Sequence, residues 1–293
     1  MKAILNVATA VVLTSIFTNA NAQKLEPTTT PMMKTKYGHV YVNTQLNNVK
    51  EQPMVLDTAA TAGVIPNSVL AQLSIPDNNI TKEDVHGAGG IVSLSKVQLA
   101  TTQVANIKVD DLPYVIQDMK VLKLDSGKVP GILGVGFLSK QCTILDFENE
   151  LVTFYKNTCP KQASKNLSAA NIWLEDDLIK LSIKLNGVVT DAILDTGSPV
   201  NIINSHLLDK LATEKLDKDK LEGLHSKGIT HQKLGEVSYS IGEKVINSNN
   251  TIASDMPVFK KLGYENKPVF LLGLADFTKN KLVIDYQANK IYF

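Results

Sequence analysis

The chain of 293 residues lacks an excess of charge of either sign. Its 30 lysines and arginines stand against 29 aspartates and glutamates, which leaves a formal net charge of +1. Proteins that bind nucleic acid usually carry a basic surplus or a basic stripe, and neither is visible here. The balance argues against a nucleic-acid partner and favours small molecules or peptides. With 44% hydrophobic residues the composition is that of a globular protein, and it suffices for two cores of roughly 100–150 residues each.

Cysteine is scarce, and the five histidines do not have the spacing of metal ligands. We therefore expect no metal and no cofactor, and we interpret the histidines as surface or packing residues. The two cysteines, Cys142 and Cys159, are a possible disulfide if the chain reaches an oxidising compartment, where the bridge would close a short loop. Two buried, inert thiols are the alternative.

Long apolar segments are also rare. One runs from Val7 to Phe17 after the positively charged Lys2, and it is too short to span a bilayer comfortably. Ala20-Asn21-Ala22 then places small residues at the two positions that a signal peptidase reads. We predict a signal peptide over residues 1–22 and a chain that is periplasmic or secreted, with no membrane attachment after cleavage.

The most informative feature is an internal repeat. Met54–Ala60 aligns with Ala192–Ser198, which superimposes Asp57 on Asp195. The register continues along the chain through three further pairs of segments: Ile132–Gly134 and Leu271–Gly273, Leu145–Phe147 and Ile284–Tyr286, and Val152–Phe154 and Ile291–Phe293. Chance would not keep register across so many separate blocks, so the chain is a tandem duplication.

Each half is predicted to consist mainly of strands. Tyr37–Leu46 and Leu178–Leu185 alternate apolar with polar residues, as half-buried strands do. After each aspartate, the segments Asn67–Leu73 and Ser205–Leu211 predict one short helix per half. Asn67 and Ser205 are of the residue types that commonly cap a helix N terminus, and both are available as caps here.

The repeated block then becomes recognisable. An apolar run into Asp195-Thr196-Gly197-Ser198, followed by a helix and later by an apolar pair and a glycine, resembles the aspartic proteases of the retropepsin and pepsin kind. The resemblance covers essentially all of the mature chain, twice. It implies an all-β, bilobal acid-protease fold with a few short helices, in which two pseudo-symmetric retropepsin-like lobes enclose one cleft.

The resemblance also sets the domain boundaries that we predict. An extended tail at 23–35 precedes an N-terminal aspartic-protease lobe at 36–158. A linker at 159–171 leads to a C-terminal lobe at 172–293. Because the duplicated chain supplies both lobes, we predict a monomer, without the homodimer that single-lobed relatives require.

By resemblance, Asp57 and Asp195 form the catalytic pair. Two carboxyls within hydrogen-bond distance cannot both ionise easily, so the pair shares a proton and activates a water. Other residues are assigned supporting positions: Thr58 and Thr196 bind across the centre, Gly134 and Gly273 let a loop pass behind each aspartate, and Gly87, Ala88, Gly89 and Gly90 form the tip of a flap. In the second half, His225–Gly228 is the expected equivalent of that flap.

One residue departs from the pattern, because Ala59 stands where the family has glycine, whereas Gly197 is retained. If the backbone there needs a positive φ, alanine is strained and Asp57 is displaced. Three readings follow: an aspartic endopeptidase acting on peptides or proteins, an inactive fold that binds a peptide or protein, and an enzyme that cuts only its own chain during maturation.

Overall fold

The computed structural model describes residues 26–47, 49–87, 90–211, 215–221 and 229–293. The predicted signal peptide at 1–22 lies outside these ranges. Ala88, Gly89 and the second flap segment His225–Gly228 lie outside them too. Within the described ranges no helix is long and apolar enough to cross a membrane.

The described part of the first half consists mainly of strands, with two short α-helices. In chain order these are β1 Thr28–Pro31, β2 Met33–Lys34, β3 Val40–Leu46, β4 Val49–Leu56, β5 Gly63–Ile65, α1 Asn67–Leu70, β6 Thr81–Gly87, β7 Gly90–Val104, β8 Ile107–Ile116, β9 Gly131–Leu133, α2 Val135–Leu138, β10 Gln141–Asp146 and β11 Leu151–Lys156.

The second half repeats this plan with more strands. Its elements are β12 Ala169–Asn171, β13 Trp173–Glu175, β14 Leu178–Leu185, β15 Val188–Leu194, β16 Asn201–Ile203, α3 Ser205–Leu208, β17 Lys215–Leu221, β18 Ile229–Leu234, β19 Val237–Ile241, β20 Lys244–Ser248, β21 Thr251–Ala253, α4 Pro257–Lys261, β22 Phe270–Leu272, β23 Lys281–Asp285 and β24 Lys290–Tyr292.

The strands form one sheet per lobe and one sheet between the lobes. The first lobe is an eight-stranded sheet in the order β2-β3-β4-β9-β5-β8-β7-β6. The second lobe is a ten-stranded sheet that runs from β17 to β20 through β18, β21, β16, β22, β15, β14 and β19, with β13 beside β14. This arrangement confirms the predicted all-β, bilobal architecture with a few short helices.

The six-stranded central sheet joins the two halves. Its order is β1-β11-β10-β23-β24-β12, and β10 of the first half pairs antiparallel with β23 of the second, from Cys142 opposite Asp285 to Asp146 opposite Lys281. Strand β1 comes from the predicted tail and β12 from the predicted linker, and they form the two edges. Both segments therefore contribute backbone hydrogen bonds to the sheet.

A disulfide joins strand β10 of this sheet to the segment that follows β11. Cys142 lies in β10, Cys159 follows the end of β11, and their sulfurs are bonded. The Asp285 carboxylate, from the second half, accepts hydrogen bonds from the Cys159 amide at 2.9 Å and the Thr158 hydroxyl at 3.0 Å. The loop that the bridge closes is thus also held to the other half of the chain.

The helix caps differ from the prediction. Asn67 and Ser205 do not cap through their own side chains, because each is already the first helical residue and its backbone amide is the group that needs a partner. Asp118 accepts from the Asn67 amide and Asp255 from the Ser205 amide, at 2.9 and 2.8 Å. In α3 the side chain of Asn204 supplies the local cap by accepting from Leu207.

Candidate active site

Each aspartate follows a strand that lies parallel to the strand carrying the apolar pair of the repeat. Strand β4 pairs with β9, and the Asp57 amide donates to the Leu133 carbonyl at 3.1 Å. Strand β15 pairs in the same way with β22, and the Asp195 amide donates to the Leu272 carbonyl at 2.9 Å. The two halves therefore place their aspartates by the same backbone contact.

The threonines next to the aspartates bind across the lobe boundary. The Thr58 hydroxyl donates to the Leu194 carbonyl at 2.7 Å, and the Thr196 hydroxyl donates to the Leu56 carbonyl at 2.8 Å. Each hydroxyl also accepts from the backbone amide of the other threonine, at 3.1 Å. Both side chains are buried, so four satisfied hydrogen bonds fix one aspartate loop against the other.

Gly134 and Gly273 lie where the chain passes closely behind each aspartate loop. A Cβ on Gly134 would meet the Ala60 carbonyl oxygen at 2.3 Å, and one on Gly273 would meet the Val200 carbonyl oxygen at 2.2 Å. Any side chain would push the backbone of the aspartate loop aside. The structure thus places both glycines in the positions that the sequence predicts for them.

The carboxyl groups of Asp57 and Asp195 interact with each other in the centre of this arrangement. Burial raises the pKa of both above the ordinary value of 3.8, and the increase is larger for Asp195 because the charge of Asp57 adds to burial. The backbone amides of Ala59 and Gly197 oppose the change, each donating to its own aspartate at 2.8 Å. The pair can therefore hold one proton between two carboxyls.

Ala59 does not have a positive φ, so an alanine fits this backbone without left-handed strain. The sequence predicted a displaced Asp57 only if the backbone at Ala59 needs a positive φ, and it does not. Crowding is instead the property that distinguishes the two loops. A Cβ on Gly197 would meet the Asp57 carboxyl carbon and one of its oxygens, both at 2.5 Å, so a methyl group at this position requires the Asp57 carboxyl to shift.

Two apolar clusters related by the repeat flank the aspartates. The first-lobe cluster comprises Val55, Val64, Leu94, Val115, Met119, Leu122 and Ile132. The second-lobe cluster comprises Leu178, Ile193, Ile202, Ile252, Met256, Phe259, Tyr264, Val269 and Leu271. Val55 and Ile193 each lie two residues before an aspartate, and the intervening Leu56 and Leu194 face the main core on the opposite side of the sheet.

The predicted flap is a hairpin of β6 and β7. The strands pair from Thr81 opposite Lys96 to Gly87 opposite Gly90, and Gly90 has a φ of +119°, which favours glycine. Val85 and Val92 of this hairpin pack against the first-lobe cluster. Strand β6 also approaches α4 of the second lobe, with Cα atoms within 8 Å, so the hairpin reaches from one lobe toward the other.

Sequence reasoning missed a polar network behind the second aspartate. The Asn201 side chain accepts from the Gly273 amide at 3.0 Å and donates to the Asp276 carboxylate, which also accepts from the Tyr239 hydroxyl at 3.0 Å. This network therefore holds the Gly273 loop in place. The sequence contains no local pattern that predicts this network, because its members lie far apart in the chain. The repeat does not predict it either, since the residue of the first half that aligns with Asn201 is Gly63.

Residues 42–137 match the family model described as aspartyl protease. This range includes Asp57, Ala59 and Gly134. The resemblance to aspartyl proteases is confirmed. The match covers about a third of the chain and lies within the first half. The threonine hydrogen bonds tie the second repeat to the matched one.

Among solved structures, the chain is similar to a retropepsin-like aspartic protease from Rickettsia conorii, with 15% identity and a TM-score of 0.34. The similarity covers 45% of this chain and 94% of that one. No curated protein matches the sequence. Within the described ranges, no group of three or more histidine, cysteine, aspartate or glutamate side chains is arranged to hold a metal ion.

Proposed function

We propose that the chain is an aspartic endopeptidase that hydrolyses peptide bonds with a water activated by Asp57 and Asp195. The observation that carries the proposal is the exchange of hydrogen bonds between Thr58 and Thr196, at 2.7 to 3.1 Å. That exchange brings two carboxyls with raised pKa values together from opposite lobes. Carboxyls whose pKa values are raised by burial and by each other cluster at catalytic sites.

The reaction that we propose needs no covalent intermediate. A water bound between the carboxyls gives a proton to the ionised carboxylate as its oxygen attacks the scissile carbonyl carbon. The protonated carboxyl donates to the carbonyl oxygen, which gathers negative charge. Collapse of the tetrahedral intermediate breaks the C–N bond, and the departing amine receives a proton from the pair. Because the two groups titrate together, the acid and base roles belong to the pair.

We further propose that the enzyme is exported, to the periplasm or outside the cell, and acts there as a monomer on peptides or proteins. The pattern of residues 1–22 supports export. The disulfide between Cys142 and Cys159 supports an oxidising compartment. The presence of both aspartates in one chain supports a monomer.

Ala59 favours a second candidate function, a peptide-binding protein without catalytic activity. Its methyl group lies in the loop that carries Asp57, where a small displacement of a carboxyl reduces catalysis strongly; about 1 Å can reduce the rate on the order of 100-fold. Peptide binding by the cleft does not depend on that alignment. Activity and binding therefore have to be measured separately.

The test is cleavage of casein by the mature chain between about pH 3 and 8, beside Asp57→Asn and Asp195→Asn, a range chosen to bracket carboxyl titration. Activity lost in both variants supports the shared pair and shows that Ala59 is tolerated. A folded wild-type protein that cleaves nothing, together with measurable binding of casein peptides, would replace the endopeptidase by the binding protein.

A further inference from the structure

Tyr286 places a buried hydroxyl group beneath the two aspartate loops. It follows Asp285, the last residue of β23, and its ring packs in the main core. The residue is only 5% exposed, and its hydroxyl has no hydrogen-bond partner among the described residues. Buried polar groups in proteins nearly always have a partner. This exception therefore calls for a physical reason.

The hydroxyl borders a narrow space directly below the threonine exchange. Tyr286 shares this space with Leu56, Thr58 and Thr196 of the aspartate loops and with Thr143 of β10. The remaining lining is aliphatic, and the space has no room for a water molecule. Solvent therefore does not supply the partner that the protein lacks. Leu56 and Thr58 are the two sequence neighbours of the first aspartate, so the hydroxyl lies under the loop that carries it.

The first aspartate, Asp57, is the charged group that acts on this hydroxyl. Burial raises the pKa of Tyr286 above its ordinary value, and the charge of Asp57 raises it further. Tyr286 is therefore neutral wherever a carboxyl pair titrates, and its O–H group acts as a dipole. None of the other side chains that line the space is titratable. The remaining polar neighbours of the Asp57 carboxyl are the Asp195 carboxyl and the backbone amides of Ala59 and Ala60.

The repeat supplies this hydroxyl only once. The residue of the first half that aligns with Tyr286 is Phe147, which is also 5% exposed and has no hydroxyl. We propose that Tyr286 is a positioning residue of the aspartate pair: its O–H dipole favours negative charge on Asp57 and so leaves the shared proton with Asp195. This inference rests on the proposed function, because it says which carboxyl accepts the proton of the attacking water and which donates to the scissile carbonyl.

Tyr286→Phe removes the dipole and keeps the ring. We expect the dipole to change the pKa of Asp57 by about half a unit, which is about a threefold change in a ratio of two protonation states. The ratio of charge on Asp57 to charge on Asp195 in the singly ionised pair should therefore fall about threefold. Loss of a group that stabilises an anion raises the pKa, so the acid limb of kcat/KM should move to higher pH. The melting temperature should stay the same or rise, because the removed hydroxyl has no partner.

The experiment follows the two carboxyl carbons by carbon-13 NMR of the labelled mature chain between about pH 3 and 8. Asp57→Asn and Asp195→Asn assign the two signals. The kcat/KM for one peptide of the casein digest is measured over the same range. Thr143→Val is the matched control, because it removes the other partnerless hydroxyl that borders the same space and keeps the shape of the side chain. Circular dichroism and thermal unfolding are recorded for every variant.

A lower charge ratio and a shifted acid limb in Tyr286→Phe, with neither change in Thr143→Val, support the inference. Unchanged titration of Asp57 in Tyr286→Phe would overturn it, and so would equal shifts in both variants. A lower melting temperature or an unfolded Tyr286→Phe would overturn it as well, because the hydroxyl would then serve the fold. A changed charge ratio in a wild-type chain that cleaves no peptide would keep the placement of the proton and reject the proposed function, so the two failures are distinguishable.

Discussion

The Thr58 hydroxyl accepts from the Thr196 amide and the Thr196 hydroxyl accepts from the Thr58 amide, each at 3.1 Å, across the boundary between the lobes. Neither half of the chain can make these contacts alone. The geometry of the aspartate pair is therefore a property of the assembled molecule, and disturbance of either threonine is transmitted to both loops.

Thr58→Val tests this relationship. The substitution keeps the shape of the side chain but leaves the Leu194 carbonyl and the Thr196 amide without their partner. Each stranded buried group costs about 1–3 kcal/mol, so the free energy of unfolding should fall by about 2 kcal/mol or more. Denaturant unfolding followed by fluorescence measures it. Thr58→Ser retains the hydroxyl and is the control; an unchanged free energy of unfolding in Thr58→Val would show that these hydrogen bonds do not hold the two loops together.

Gly197→Ala should reduce activity on the order of 100-fold in a folded protein. A Cβ at this position would lie 2.5 Å from the Asp57 carboxyl carbon, and the carboxyl must move by about 1 Å to relieve the overlap. A shift of that size reduces the rate on the order of 100-fold. Casein cleavage and circular dichroism are measured on the same preparation. Activity near that of the wild type would show that the carboxyl of Asp57 has freedom to move that the structure does not display.

Asp195→Asn should raise stability at neutral pH while abolishing cleavage. The pKa of Asp195 is raised well above 3.8 in the folded protein, so between that ordinary value and the raised one the folded state holds more protons than the unfolded state. Stability therefore falls as pH rises through this interval. The neutral amide removes the penalty, so the melting temperature of the variant should exceed that of the wild type at pH 7 and approach it at pH 3.

The measurement is a pair of thermal unfolding curves at each pH, with Asp125→Asn as an exposed reference. An increase that is the same at pH 3 and pH 7 would contradict the titration argument, because it would have to come from packing or from general charge.

Replacement of Cys142 and Cys159 by serine together should lower the free energy of unfolding by about 3 kcal/mol, the amount expected for a closed loop of this length. The loop also carries the amide that donates to Asp285, so its release should loosen the central sheet. Unfolding of the wild type with and without dithiothreitol is compared with that of the variant. A wild type that is insensitive to the reductant would argue against the bridge.

The sequence predicts the residues that occur once in each half better than it predicts the hydrogen bonds that fix the helices and loops in place. Repeated blocks identify the two aspartates, the two threonines and the glycines behind the loops, because each half carries its own copy of the pattern. The caps at Asn67 and Ser205 were wrong, since the carboxylates that accept from these amides belong to Asp118 and Asp255, some fifty residues away. A rule about neighbouring residues cannot find such partners.

The consequence of the alanine could not be read from the sequence either. Composition and spacing show that Ala59 departs from the pattern, and they leave open whether backbone conformation or space decides the outcome. The structure separates the two: the φ at Ala59 is negative and permissive, while the methyl group lies against a cluster from the other lobe. That contact joins residues more than 100 positions apart in the chain.

The central sheet, in which β10 pairs with β23, has an implication for how such a site can change over evolutionary time. In a protein assembled from two identical copies, any substitution enters the site twice, and a methyl group at position 59 would also appear in the loop where it overlaps the opposite carboxyl. Covalent fusion of the copies gives each loop its own codons. One loop can then vary while the other keeps the original glycine, so Ala59 is a substitution that only a fused chain can accept in a single place.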